Sequence, residues 1–168
     1  MPLDEALNIF VDICDAVDYA HRCGVVHRDL KPENVLFNAR SQVVVTDFDL
    51  AIIEGDLRLT RKGASMGTVP YMSPEQIKDS RSVGAATDIY ALGIMLFEML
   101  TGRLPFVGST EWEFFRQHIE AIPPPPSSFN ARIPRWVEQA ILQAMEKDPT
   151  ARFESVWQMA CVVTGEEY

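Results

Sequence analysis

Two short β-strand patterns lie next to each other in a chain whose other regular patterns are helical. Residues 34–37 and 42–46 are rich in valine and other apolar residues, and only residues 38–41 separate them, which predicts a tight hairpin. A polar segment borders each strand: His27–Asn34 leads into the first, and Asp47-Phe48-Asp49 follows the second. Because strands hold the loops at their ends in place, we expect these polar side chains to lie close together.

Apolar residues recur at helical spacing through residues 3–22, 86–101, 109–119, 134–145 and 155–163. Pro2 and the acidic pair Asp4-Glu5 favour a helix start, and Gly24 favours its end. Residues 47–75 lack periodicity, and an aperiodic stretch of that length in a compact domain is typically functional. Because neither an internal repeat nor a boundary signal occurs, the sequence predicts one mainly α-helical (α+β) domain over residues 1–168.

The formal net charge of the 168 residues is −9, which argues against nonspecific binding to nucleic acid or anionic membranes, since both need a basic face. An acidic balance suits a basic protein or peptide partner, although it more often serves solubility. The longest apolar run, residues 89–100, is too short to span a bilayer, which takes about 20 residues. We therefore expect no nucleic-acid partner and no membrane segment.

Cysteine usage and the N-terminus bear on location. The three cysteines, Cys14, Cys23 and Cys161, lack metal-ligand spacing and favour small buried side chains in a reducing compartment. Residues 1–5 are acidic, whereas a secretory signal peptide needs a basic start. These features predict a cytoplasmic protein.

Four of the polar residues that border the strands could together perform phosphoryl transfer. Transfer to a hydroxyl needs a carboxylate facing that hydroxyl, a cation near the phosphate and oxygen ligands for Mg²⁺. Asp29 could supply the carboxylate, Lys31 the cation, and Asn34 with Asp47 the ligands. Each residue alone is commonplace, because a lone loop aspartate is usually a turn or capping residue. Their order and spacing carry the signal.

That order and spacing resemble the catalytic loop and the metal-binding motif of the protein kinase family. The resemblance continues downstream. Gly67–Glu75 is similar to the substrate-pocket loop with its Ala-Pro-Glu end, although Ser73 replaces the alanine. Residues 87–93 resemble the start of the central buried helix, and residues 147–153 resemble the segment whose arginine pairs with that glutamate.

The resemblance covers essentially the whole chain and implies the C-terminal lobe of a kinase, helical with short β-strands flanking the catalytic loop. Lys31, two residues after Asp29, together with Gly67-Thr68, resembles the serine/threonine branch of the family, in a style similar to its bacterial members. The implied cofactors are ATP and Mg²⁺, and the implied partner is a protein substrate with a serine or threonine hydroxyl.

The resemblance also implies a role for individual residues in catalysis. Asp29 would orient the substrate hydroxyl or accept its proton, Lys31 would neutralise the transferred phosphate, and Thr68 would bridge these two residues. Asn34 and Asp47 would hold Mg²⁺. Leu36 would pack under the adenine of ATP.

Six further residues are implied to have structural or regulatory roles. Glu75 and Arg152 would form a buried ion pair, and Asp88 would fasten the backbone of the catalytic loop. Arg28 would bind a phosphorylated residue, with Thr60 the first candidate and Ser65 the second, because an arginine fork binds phosphate strongly. Either hydroxyl could equally be an unmodified surface group.

Two departures from the family pattern bear on activity. No glycine-rich loop with a phosphate-gripping lysine occurs, so the N-terminal lobe of the family is absent from this chain, and either Met1 is a true start or the chain is a fragment. Asp49 stands where the family has glycine, which turns freely, although aspartate is among the less costly replacements at positive φ. The missing phosphate grip predicts that the chain alone is inactive, whereas Asp49 alone does not prove inactivity because Asp47 is intact.

Two functions remain open. The first is a serine/threonine kinase lobe that transfers the ATP γ-phosphate when an N-terminal lobe or a partner chain completes it. The second is a catalytically inactive, kinase-like scaffold. A small-molecule phosphotransferase is disfavoured because it would not need Gly67–Glu75. Without an upper lobe, part of an apolar surface formed by Leu36, Phe48, Met95 and Met99 should face solvent near the catalytic loop, whereas a surface covered within the chain would favour the scaffold.

Overall fold

The computed structural model of the chain describes residues 2–48, 52–53, 69–79 and 83–165. Four residues singled out from the sequence, Asp49, Thr60, Ser65 and Thr68, lie outside these ranges. Within them the fold is mainly α-helical with a few short strands, which confirms the predicted fold class.

The α-helices of the described part are α1 (Leu3–Arg22), α2 (Pro74–Lys78), α3 (Ala86–Thr101), α4 (Glu111–Glu120), α5 (Arg135–Ala144) and α6 (Val156–Thr164). The strands are β1 (Val25–Val26), β2 (Val35–Phe37), β3 (Val43–Val45) and β4 (Ile52–Ile53). Single 3₁₀ turns cover Pro32–Asn34, Val69–Tyr71, Pro126–Ser128 and Pro149–Ala151.

Helix α3 forms the centre of the core because it is apolar around most of its circumference. Twelve of its 16 residues are buried, as expected for a helix that is hydrophobic on all sides. Gly93 allows α5 to cross close by, since a Cβ at this position would come within 2.9 Å of the Ala144 Cβ atom. The helix ends at Gly102, whose φ of 72° is a left-handed conformation that glycine adopts at low cost.

Helix α1 is amphipathic and packs one face against the core. Phe10, Ile13 and Val17 lie on that face and are buried, and the helix contacts both α3 and α6. The acidic residues in its first turn and the basic residues in its last turn complement the helix dipole. The last turn also contains His21, which lies next to the segment that follows β1.

The strands form two separate antiparallel pairs. In the hairpin of β2 and β3, Val35 lies opposite Val45 and Leu36 opposite Val44. Val35, Val43 and Val45 pack against the core, which leaves the other side of the hairpin uncovered. The second pair joins β1 to β4, with Val26 opposite Ile52.

The uncovered side of the hairpin carries an apolar patch. Leu36 and Val44, which lie opposite each other on this side, are 52% and 40% exposed, and we call these two residues the hairpin patch. Phe37 lies opposite Val43 on the other side, at the end of the hairpin, and is 56% exposed. The prediction of exposed apolar surface is therefore confirmed for Leu36. It is wrong for Met95, which is only 2% exposed because its face of α3 points into the core, and Met99 is partly buried against the same core.

The predicted helices and the hairpin are present within one or two residues of their expected bounds. Helix α2 and the pairing of β1 with β4 were not predicted. Among the helices that the structure describes, none has the length and apolar character needed to cross a membrane.

Candidate active site

The loop His27–Asn34 runs from β1 to β2, and a buried carboxylate fixes its start. Asp88, in the first turn of α3, is fully buried and accepts hydrogen bonds from the backbone N–H groups of His27 and Arg28, both at 2.8 Å. Arg28 has a φ of 69°, a left-handed conformation that costs free energy for a residue other than glycine. The two hydrogen bonds to Asp88 hold the loop in this conformation.

Three of the predicted site residues lie together in this loop. The Lys31 Nζ atom is 3.0 Å from Oδ2 of Asp29. The Asn34 side-chain amide donates to the Asp29 carbonyl at 2.8 Å and reaches its Oδ2 atom at 3.4 Å. The other carboxylate oxygen, Oδ1, is buried and has no hydrogen-bond partner among the described residues. Asp29 therefore has one oxygen held by its neighbours and one left to accept a hydrogen bond.

Asp47 lies at the end of β3, beside the same loop. The residue before it, Thr46, donates its backbone N–H to the carbonyl of Asn34 at 2.9 Å. The Thr46 carbonyl accepts from the buried ring of His27 at 2.8 Å, and this ring also packs in a tilted arrangement against Phe48, with 4.5 Å between the ring centroids. Asp47 is exposed, with a φ of 62° that aspartate tolerates better than most residues. These contacts place the two predicted metal ligands, Asn34 and Asp47, at the same end of the hairpin.

The donor set of Asn34 and Asp47 fits Mg²⁺, which prefers a few carboxylate or carbonyl oxygens and keeps several waters or phosphate oxygens. Asn34 is 3% exposed and turns its amide NH₂ group toward Asp29, which leaves its side-chain oxygen as the atom that could bind a metal ion. No cluster of three or more histidine, cysteine or acidic side chains occurs in the described ranges, so an all-protein metal cage is not found there.

Arg28 lies half-buried beside the catalytic carboxylate candidate. Its Nη2 atom donates to the carbonyl of Val83 at 2.8 Å, while its Nε atom is buried and unpaired within the described part of the chain. Burial lowers the pKa of Arg28, and the nearby Asp88 carboxylate opposes this shift. The guanidinium therefore retains donor capacity toward an anion.

The predicted contact between Glu75 and Arg152 is present. Arg152 donates Nη1 to Oε1 at 2.7 Å and Nη2 to Oε2 at 2.8 Å, and it is 4% exposed. It also donates to the carbonyls of Ala86 and Glu146. Burial alone would raise the pKa of Glu75, but the hydrogen bonds and charge of Arg152 outweigh burial and hold the pKa below its usual value.

The segment that ends in Glu75 also touches the loop directly. Gln76 donates its side-chain amide to the Arg28 carbonyl at 2.7 Å. Tyr71 and Met72 line a narrow cleft together with Arg28 and Asp29. The segment thus forms one wall of the cleft beside Asp29.

Leu36 lies on the exposed hairpin patch.

Three residues that contribute to this geometry were not predicted from the sequence. His21 lies 2.7 Å from Oδ2 of Asp88, as a third partner of that carboxylate. His27 accepts from the Asp29 N–H at 3.2 Å while donating to Thr46, which fits one neutral tautomer. Gln76 carried a usable signal, because Ser73-Pro74-Glu75-Gln76 matches a helix capping box, and both of its hydrogen bonds are present.

Comparisons with known proteins agree with this geometry. A family profile described as "Protein kinase domain" matches residues 1–162. The chain is 41% identical over 155 residues to the serine/threonine-protein kinase PrkC of Bacillus subtilis, covering 92% of the chain and 24% of that protein. It is 37% identical over 160 residues to the serine/threonine-protein kinase PknB of Mycobacterium leprae, covering 95% of the chain and 26% of that protein.

A third relative, the probable serine/threonine-protein kinase PknB of Lactococcus lactis, is 39% identical over 156 residues, which is 93% of the chain and 25% of that protein. The chain spans about a quarter of the length of these relatives. Proteins of this family generally use ATP and Mg²⁺ and act on protein substrates. The extent of the profile match and the identity to these kinases show that the chain belongs to the protein kinase domain family.

Proposed function

We propose that the chain is the substrate-binding lobe of a serine/threonine protein kinase, which transfers the γ-phosphate of ATP to protein hydroxyls when joined to a nucleotide-binding lobe. The observation that carries the proposal is the hydrogen bonding of the two Asp29 carboxylate oxygens. One of its carboxylate oxygens is held by Lys31 and Asn34, and the other is buried without a partner in the described ranges. A buried acceptor without a partner is costly unless a ligand uses it.

In the proposed mechanism, Oδ1 of Asp29 accepts the hydrogen bond of the substrate hydroxyl and thereby orients it toward the phosphate. Lys31 lies 3.0 Å from Oδ2 and brings a positive charge to the position where phosphate charge develops. Asn34 and Asp47 would hold Mg²⁺, which neutralises charge on the phosphates when bound. Because positioning and electrostatics supply most of the catalysis of phosphoryl transfer, these four residues need a lobe that grips the nucleotide.

The hairpin patch is the proposed contact surface for that lobe. Leu36 and Val44 lie opposite each other on the exposed side of the hairpin, whose strands the metal-ligand candidates flank. Apolar patches on soluble proteins commonly mark an interface. Leu36 would contact the adenine of ATP at this surface.

The three cysteines are free, in agreement with the reducing cytoplasm where we place the protein.

Arg28 is the proposed regulatory anchor. Its buried Nε atom has no partner among the described residues, and it could donate to a phosphate on Thr60 or Ser65. The phosphate would then join the loop that holds Asp29 to the segment that carries these hydroxyls.

The test is phosphate transfer to a peptide that contains serine and threonine. The chain alone, with ATP and Mg²⁺, should transfer no measurable phosphate. Fused behind the nucleotide-binding lobe of a bacterial serine/threonine kinase, it should label the peptide on serine or threonine. If the fused protein binds Mg²⁺–ATP but transfers no phosphate, the scaffold function replaces the proposal. Asp49→Gly is then the first substitution to make.

A further inference from the structure

Gln76, the third residue of α2, makes side-chain hydrogen bonds in two directions. Its Oε1 atom accepts from the backbone N–H of Ser73 at 3.0 Å, which is one half of the capping box that starts this helix. Its Nε2 atom donates to the carbonyl of Arg28 at 2.7 Å, 48 positions earlier in the sequence. One amide group therefore joins the start of α2 to the loop His27–Asn34.

The orientation of this amide follows from its two partners. A backbone N–H only donates and a backbone carbonyl only accepts, so Oε1 has to face Ser73 and Nε2 has to face Arg28. The Ser73 side chain is buried, accepts from the Gln76 backbone N–H at 3.3 Å and is hydrogen-bonded to the Thr87 hydroxyl on α3. The cap is thus anchored to the central helix, and the donor that reaches Arg28 has a fixed direction.

The Arg28 carbonyl belongs to the peptide unit that carries the Asp29 N–H group. That N–H donates to Nδ1 of His27 at 3.2 Å, so both ends of the peptide unit are hydrogen-bonded. Asp88 accepts from the N–H groups of the two peptide units before it, and these contacts together maintain the left-handed φ of 69° at Arg28. Because a peptide unit is planar, the bond from Gln76 helps to fix the direction from which the chain enters Asp29.

We propose that Gln76 is a positioning residue for Asp29, because its amide sets the orientation of the peptide unit that precedes this carboxylate. The wall of the cleft and the loop that holds Asp29 are thereby joined by a hydrogen bond as well as by packing. A displacement of α2 would withdraw the donor, which makes the placement of this helix a condition for the orientation of Asp29. The effect on phosphate transfer rests on the proposed function, whereas the hydrogen-bonded link does not.

The test uses the chain itself and needs no ATP or turnover, so its failure is distinct from a failure of the proposed kinase activity. Gln76→Glu separates the two bonds of the amide. Glutamate is an ordinary capping-box residue and keeps the bond to the Ser73 N–H, but its second carboxylate oxygen cannot donate to the Arg28 carbonyl. Lys78→Gln, at an exposed site on the same helix, lowers the net charge by the same amount and is the matched control.

Backbone NMR reads the two bonds separately. In Gln76→Glu the ¹³C resonance of the Arg28 carbonyl should move upfield, since this carbonyl loses a hydrogen bond, and the Asp29 amide should exchange about tenfold faster. The Ser73 amide should keep its resonance and its protection, and Lys78→Gln should leave all three signals unchanged. An Arg28 carbonyl and an Asp29 amide that behave in Gln76→Glu as they do in the control would overturn the proposal.

Gln76→Met makes the same test with both bonds removed, because a thioether donates no hydrogen bond and accepts only weakly. The Ser73 amide and the Arg28 carbonyl should then shift together, and the Asp29 amide should exchange about tenfold faster, as in Gln76→Glu. A Gln76→Met protein in which the Ser73 amide changes while Arg28 and Asp29 do not would show that Gln76 only caps α2, which would overturn the proposal.

Discussion

Arg152 and Glu75, which are 77 positions apart in the sequence, form a bidentate ion pair with N–O distances of 2.7 and 2.8 Å. The same guanidinium donates to the carbonyls of Ala86 and Glu146. One buried side chain therefore joins α2, the start of α3 and the segment after α5. The wall of the cleft that contains Glu75 is attached to the core through this contact.

Replacing Arg152 with methionine should destabilise the fold strongly. The substitution leaves the Glu75 carboxylate partly buried without its partner, which costs about 3–5 kcal/mol. Urea unfolding measures the change, and Arg132→Met on an exposed site is the matched control. A loss no larger than that of the control would show that the pair contributes little to stability.

The stability of the fold should fall as the pH is lowered from about 6.5 to about 3 because of the buried ring of His118. Its pKa is about 3 in the folded chain and 6.5 when unperturbed, so in this window the unfolded state binds a proton that the folded state does not. Lowering the pH therefore favours unfolding by at most about 1.4 kcal/mol per pH unit. Urea unfolding of His118→Leu should show a shallower dependence there, and an equal dependence in both proteins would contradict the burial of a neutral ring.

Glu75 should act in a lower pH window. Its pKa is held below the ordinary 4.5, so its contribution is fully present above that value and is lost as the pH falls through the folded pKa. Glu75→Gln should thus flatten the pH dependence of stability below about pH 4.5 and leave the dependence above it unchanged. The His118 contribution begins near pH 6.5 and continues into this range, so the Glu75 effect is read as the change that Glu75→Gln makes below about pH 4.5. A change confined to pH above 5 would contradict the assignment to Glu75.

Asp88→Asn should loosen the loop that holds Asp29. The carboxylate accepts from two backbone N–H groups and from His21, and an amide has only one oxygen to offer. We expect a loss on the order of 3 kcal/mol, because charge-assisted hydrogen bonds to a buried group are involved. Hydrogen exchange at the amides of His27 and Arg28 reports the local effect, and protection equal to that of the unmodified chain would contradict it.

Leu36→Lys should reduce self-association of the isolated chain. The hairpin patch exposes Leu36 opposite Val44, whereas Ile122 is 90% exposed elsewhere and provides the control Ile122→Lys. Sedimentation at high concentration should show association that Leu36→Lys weakens about tenfold and the control leaves unchanged. A strictly monomeric chain, stable by more than about 10 kcal/mol, would instead favour the self-sufficient scaffold.

Sequence patterns predicted the elements whose signals are local. The 16-residue, largely apolar helix α3 and the valine-rich hairpin fall close to their expected bounds, because burial there follows from periodicity. The polar residues Asp29, Lys31 and Asn34 could be expected near each other because all three fall within six consecutive positions of the sequence. The predicted geometry of these residues depends on a single short loop.

Other features depend on tertiary contacts that no local pattern specifies. The strands β1 and β4 are two residues each, too short for a periodic signal, and their paired residues are 26 and 28 positions apart. The burial of Met95 depends on which side of α3 faces the core, and the burial of His118 depends on how α4 packs on Tyr90. Both are properties of helix packing, which spacing along the chain does not determine.

The central claim is that Asp29 faces the substrate hydroxyl, and the most direct test is the rate of phosphate transfer by the chain fused behind a bacterial nucleotide-binding lobe. Asp29→Asn should lower kcat by a factor of about 10²–10⁴, the range for removal of a catalytic base, with the KM for ATP nearly unchanged. Asp12→Asn, on the exposed side of α1, should leave kcat as it was. An Asp29→Asn protein that retains the kcat of the Asp12→Asn control would contradict the account.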